Sequence, residues 1–88
     1  MKVAIVAPSA NQPLRGPQVI KLQVATAKDL ERVEITVDGK YWDKLKAPPF
    51  ESDWPTSLLK NGPHTIEAKA IYKNKKAVTD KRVVRTRN

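Results

Sequence analysis

Three stretches of this chain alternate apolar and polar residues with a period of two, and each begins or ends at a turn signal. No long window carries the 3.6-residue repeat of a helix. Between Gln18 and Thr26, Ile20, Leu22 and Val24 alternate with Lys21 and Gln23. Val33, Ile35 and Val37 alternate with Arg32, Glu34 and Thr36 up to Asp38-Gly39, a dipeptide suited to the positive backbone angles of a tight hairpin turn. After Asn61-Gly62, residues His64, Ile66, Ala68, Ala70 and Tyr72 alternate with Thr65, Glu67 and Lys69, the longest signal of the three. Successive side chains of a strand point to opposite faces, so each stretch reads as a strand with one face in a core and one toward water.

The intervening segments complete the set. Val3 to Val6 is a short apolar run closed off by Pro8, Ser9, Asn11 and Pro13, which predicts a first strand. Tyr41 to Leu45 is the returning arm of the Asp38-Gly39 hairpin. Ala47-Pro48-Pro49 interrupts regular pairing because proline has no amide donor, leaving Phe50 to Trp54 as a short edge strand ended by Pro55. Thr56 to Lys60 has room for a single helical turn. Lys73 to Lys76 is a polar turn into a last strand, Ala77 to about Arg87, where adjacent Val83 and Val84 break the alternation and predict a bulge. The break leaves the inward face of that strand unassigned.

Seven short strands with no parallel crossover unit predict an all-β chain folded as an antiparallel β-sandwich. The nearest rival is the five-stranded oligonucleotide-binding barrel. It needs a longer, strongly curved first strand and often a helix between strands, and neither is evident. At 88 residues the chain is a single domain, 1–88, at the small end of what folds alone, and without cysteine its stability must come from sheet packing rather than disulfides. With 40% hydrophobic and 30% charged residues it has too much apolar content for a disordered chain, and it has no apolar run long enough to span a bilayer. The segment from Met1 to Ala7 is too short for a secretory signal and has no cleavage pattern, so the chain is either cytosolic or, the favoured reading, a piece of a longer protein.

Several of these segments, taken in order, resemble a known family. They are Val33-Glu34-Ile35-Thr36-Val37-Asp38-Gly39-Lys40, then Ala47-Pro48-Pro49-Phe50 and Trp54, then Asn61-Gly62-Pro63-His64-Thr65-Ile66-Glu67-Ala68-Lys69-Ala70. The set is similar to the bacterial Ig-like domains repeated in secreted glycoside hydrolases, proteases and surface proteins. In that family a strand ends in Val-Asp-Gly, a Pro-aromatic pair and a Trp follow, and an Asn-Gly-x-His-Thr turn opens an Ala-x-Ala strand. The resemblance implies an immunoglobulin-like antiparallel β-sandwich of about seven strands. It also implies a non-catalytic accessory or spacer module, secreted or on the cell surface within a larger protein, whose partners are the neighbouring domains. One departure is Tyr72-Lys73-Asn74-Lys75-Lys76, where the family commonly has an Asp and an Ala-Gly-Asn turn, so no role of that acid is carried over.

The residues offer little chemistry. Catalysis needs convergent acids, bases or nucleophiles, and the chain has one histidine, His64, no cysteine and scattered carboxylates, so no enzyme and no cofactor are expected. His64 follows Asn61-Gly62-Pro63 at the start of a strand, where its ring can bond across the turn. One histidine makes a poor transition-metal site, and Asp29, Glu31 and Glu34 are interleaved with Lys28 and Arg32, so no metal is expected either. Trp54 and Phe50 are core candidates. Of Tyr41 and Trp42, neighbours on a strand, one must face out, where it could stack on a carbohydrate or a partner surface.

The net charge of +8 is concentrated late, at Lys73, Lys75, Lys76, Lys81, Arg82, Arg85 and Arg87 against Asp80. A second function therefore presents itself, a polyanion-binding module using Lys73, Lys75, Lys76, Arg82 and Arg85, whose ligand would be an acidic polysaccharide, teichoic acid or an acidic partner domain. Nucleic acid is disfavoured because stacking aromatics are not interleaved with these residues. The plainer reading of the same charges is a solvated, aggregation-resistant edge.

Overall fold

The structure is a computed structural model, and it describes residues 2–25 and 28–88. The strands are β1 (Val3–Ala7), β2 (Pro17–Val24), β3 (Leu30–Val37), β4 (Lys40–Leu45), β5 (Glu51–Pro55), β6 (Gly62–Tyr72) and β7 (Ala77–Thr86). One turn of 3-10 helix, Thr56–Leu58, fills the segment expected to hold a helical turn. Met1 and the expected end of the second strand at Thr26 lie outside the described residues.

The strands form two antiparallel sheets, one in the order β1-β2-β5 and one in the order β4-β3-β6-β7. Alternation decides what lies between them. Ile20 and Leu22 of β2, Val33, Ile35 and Val37 of β3, and Ile66, Ala68, Ala70 and Tyr72 of β6 all turn inward and are buried. Trp54 is the largest fully buried side chain, and Phe50 is buried with it. Burying an aromatic of that size removes on the order of 150–250 Å² from water, a large share of what a small sandwich can hide. Among the described residues, the Trp54 indole nitrogen is the only buried side-chain polar atom without a hydrogen-bond partner.

The expected bulge at Val83-Val84 is not there. β6 and β7 stay in register from Gly62↔Thr86 to Ile71↔Ala77 without a shift. Val84 is simply an inward residue and Val83 an outward one that happens to be apolar, 57% exposed. The inward face of β7 is therefore its even-numbered set. Register shifts occur instead at Val6 in β1, Glu31 in β3 and Trp42 in β4.

Side chains close both open sides of the sandwich. On one side Asp80 of β7 accepts a hydrogen bond from the Ile5 amide at 2.8 Å, and Arg82 donates to the Pro8 carbonyl at 2.9 Å. On the other side the extra residue in β4 turns Trp42 and Asp43 both toward β5. There the Trp42 indole donates to the Asp53 carbonyl at 3.3 Å, and the Ser52 hydroxyl donates to Asp43 at 2.6 Å. Edge strands β1 and β5 thus each spend a backbone group, the Ile5 amide and the Asp53 carbonyl, across the seam, where it is not free for strand addition.

The molecule measures 40 × 20 × 18 Å. β1 begins beside the end of β2, at the pole of the Lys73–Lys76 turn, where the Lys73 amide donates to the Asp29 carbonyl. β7 ends at the opposite pole, beside Gly62 and the Asp38-Gly39 turn. The segment before β2 reaches that second pole through a parallel bridge between Leu14 and Thr86.

Candidate functional site

The hairpin expected at Asp38-Gly39 has both residues at positive φ, 54° and 81°, as a two-residue turn of this hand requires. That geometry aims the Asp38 carboxylate at β6. One oxygen accepts from the Thr65 amide at 2.8 Å and the other meets His64 Nδ1 at 2.5 Å. On the far side of the ring, Nε2 lies 2.7 Å from the Lys60 carbonyl, which also accepts from the Thr86 hydroxyl at 3.0 Å. A carbonyl can only accept, so Nε2 carries a proton, and the carboxylate favours a second proton on Nδ1.

Burial is the largest single influence on His64 and pushes its pKa down. The hydrogen bonds to Asp38 and to the Lys60 carbonyl, with the charge on Asp38, together outweigh it and leave the pKa above the usual imidazole value. Asp38 is held below the usual carboxylate range, first by the hydrogen bond from His64. Burial opposes this, while the Thr65 amide and the charges of His64 and Lys40 reinforce it. Both ring nitrogens are committed, so the imidazole is a structural cross-brace with no lone pair for general-base chemistry.

Of the aromatic pair on β4, Tyr41 is the outward one, 67% exposed, and Trp42 packs against the core. Between them and the sandwich lies an open groove of about 310 Å³, lined by Val37, Asp38, Lys40, Trp54 and Leu59 as well as the pair itself. Glu31 and Glu34 both pair with Arg32, at 3.2 and 2.8 Å.

The five basic residues expected to act together do not lie together. Lys73, Lys75 and Lys76 are exposed in the β6–β7 turn at one pole. Arg82 faces inward and is taken up by the Pro8 and Val6 carbonyls of the seam. Arg85 is exposed near the other pole, nine residues of strand beyond Lys76 or roughly 30 Å. Lys81 pairs with Glu67 at 3.3 Å.

Arg85 has different neighbours, which the sequence did not single out together. Leu14 bridges Thr86 and both turn inward, so the residues flanking them, Pro13, Arg15, Arg85 and Arg87, turn outward side by side. Arg85 and Arg87 line a cavity of about 370 Å³ with Pro13, Asn61, Gly62 and Thr86. Arg15 Nε reaches the Arg87 carbonyl at 3.4 Å. The sequence holds only a weak signal for this grouping, a lone apolar Leu14 between prolines, too short to read as strand.

A family model described as a bacterial Ig domain matches residues 2–68. No curated protein matches the chain in sequence. Among solved structures, the chain is similar to a fibronectin(III)-like module of CbhA from Clostridium thermocellum. The identity is 22% over 98% of this chain and 97% of that one, with a TM-score of 0.82. An identity this low bears on the fold alone.

Proposed function

The chain belongs to the bacterial Ig domain family, and from that premise we propose that it is a non-catalytic spacer within a larger extracellular bacterial protein, setting the separation of neighbouring domains. The observation that carries this is the placement of its two ends. The polypeptide enters at one pole of a 40 Å body and leaves at the other, so domains joined to it in series stand apart by its full length. The laced seams and the Asp38–His64–Lys60 brace favour a stiff body over a compliant one. The fibronectin(III)-like modules that share the fold are consistent with a module of this kind. The exposed Tyr41 ring lies near the second pole, placed to contact a neighbouring domain there.

The test is to join a donor and an acceptor fluorescent domain through this chain and measure the distance distribution by single-molecule energy transfer. A Gly/Ser linker of equal length has a root-mean-square span of about 50 Å with a wide spread. The spacer reading expects a narrow distribution whose mean exceeds that of directly fused domains by roughly the length of the body. A distribution as broad as the flexible linker's, or domains held side by side, would remove the reading.

A further inference from the structure

We propose that Arg15, Arg85 and Arg87 form a binding site for an acidic polysaccharide, at the pole where β7 ends. This goes beyond the spacer reading and does not depend on it. The fold makes the site: the parallel bridge of Leu14 to Thr86 brings Arg15 beside two residues some seventy positions later. The bridge is fastened by the Leu14 amide on the Arg85 carbonyl and the Arg87 amide on the Leu14 carbonyl, both at 2.8 Å. Among the described residues, none of the three guanidinium groups is within ion-pair distance of a carboxylate, in contrast to Arg32 and Lys81. Asp38, at the same pole, has its carboxylate committed to His64 and Thr65.

Arg85 and Arg87 in the wall of one cavity, with Arg15 beside Arg87, suit a ligand bearing carboxylate or sulfate, which each planar fork can grip with two parallel hydrogen bonds. The surroundings narrow the class further. An acidic peptide cannot add here as a strand, because Leu14 already occupies the edge of β7 at Arg85 and Arg87. Single-stranded nucleic acid needs aromatic platforms among the basic groups, and no aromatic lines this cavity. The cavity, about 370 Å³, has room for a saccharide unit, and two of its walls are held in place by bonds of Thr86 to the Lys60 carbonyl and of Asn61 to Asn88.

The experiment compares two triple variants of equal net charge, R15Q/R85Q/R87Q and K73Q/K75Q/K76Q, in binding to polygalacturonate, heparin, neutral dextran and poly-glutamate. Urea midpoints at high salt no lower than that of wild type would show that both variants are folded. The expected result is that the arginine variant loses at least tenfold in affinity for polygalacturonate or heparin. The lysine variant should stay within about twofold of wild type, and dextran should not bind. Equal losses in both variants would mean that net charge alone governs binding, and no loss in the arginine variant would mean that the cluster binds nothing; either overturns the proposal. Arginine-dependent binding of poly-glutamate as tight as that of the polysaccharides would overturn it too, in favour of an acidic protein partner.

Discussion

Replacing His64 by phenylalanine removes both hydrogen bonds of the ring while keeping an apolar body of similar size in a site that is 8% exposed. Neither partner is stranded, since the Lys60 carbonyl keeps the Thr86 hydroxyl and the Asp38 side chain is 44% exposed to water. A charge-assisted hydrogen bond contributes about 1.5–3 kcal/mol and an ordinary one about 1 kcal/mol. With the ion pair discounted to its lower end because Asp38 is half open to solvent, the loss near pH 5.5 comes to roughly 2 kcal/mol. For a domain of this size that is a fall in Tm of about 8–16 °C.

The sign of the pH dependence follows from the two shifts. His64 is raised, so its share is fully present below the unfolded imidazole pKa of about 6.5 and is lost as pH rises through the folded value. Asp38 is lowered, so its share is present above the unfolded value of about 3.9 and is lost as pH falls through the folded one. The brace is therefore strongest between about pH 4 and 6.5. Urea melts of wild type and His64→Phe, followed by tryptophan emission from pH 5 to 9, should show the gap between them narrowing as pH rises. A gap that is constant or widens over that range would refute the doubly donating imidazolium, as would an NMR titration placing the His64 pKa below 6.5.

Trp54→Ala should cost about 3–5 kcal/mol in urea melts and leave the chain barely folded, whereas Tyr41→Ala should stay within about 0.5 kcal/mol of wild type. Trp42→Ala belongs with the core changes rather than the surface ones, since its ring packs inward and its indole reaches Asp53. Asp80→Ala removes the acceptor for the Ile5 amide, and a loss of roughly 1–2 kcal/mol, with faster exchange of that amide, should mark the opening of the β1 seam. Arg85→Gln should raise the urea midpoint slightly at low salt and not at all at high salt, because it relieves like-charge crowding with Arg15 and Arg87.

What could be read from the sequence was whatever depends on local pattern. The period of two in β2, β3 and β6 separates inside from outside correctly, and Asp38-Gly39 fixes one turn, because both are consequences of bonds between near neighbours. Pattern fails where a residue's direction depends on another sheet. Val83-Val84 suggests a bulge only if every apolar residue must be buried, a rule that runs one way. Arg82 reads as a surface charge in sequence, but its alternation with Val84 points it inward, where the Val6 and Pro8 carbonyls across the seam accept its guanidinium. The shift at Trp42 has no sequence signature at all, since an extra residue in a strand is visible only against its partner.

The same distinction bears on where function can reside. A solved fibronectin(III)-like module superimposes on this chain with a TM-score of 0.82 while sharing 22% of its residues. The fold therefore asks for little beyond apolar residues at inward positions and permissive ones at turns. Outward positions answer to solubility and to ligands, and some of the charges on this surface have a partner or an open turn to stand in. Arg32 has two carboxylates, Lys81 has one, and the lysines of the β6–β7 turn stand at a pole free to solvate. Arg15, Arg85 and Arg87 have no carboxylate partner among the described residues, and crowding like charges across a bridge works against folding. Apart from the Arg15 Nε bond to the Arg87 carbonyl, no hydrogen bond or ion pair among the described residues takes up these three guanidinium groups, and that is the ground on which the polysaccharide site is proposed there.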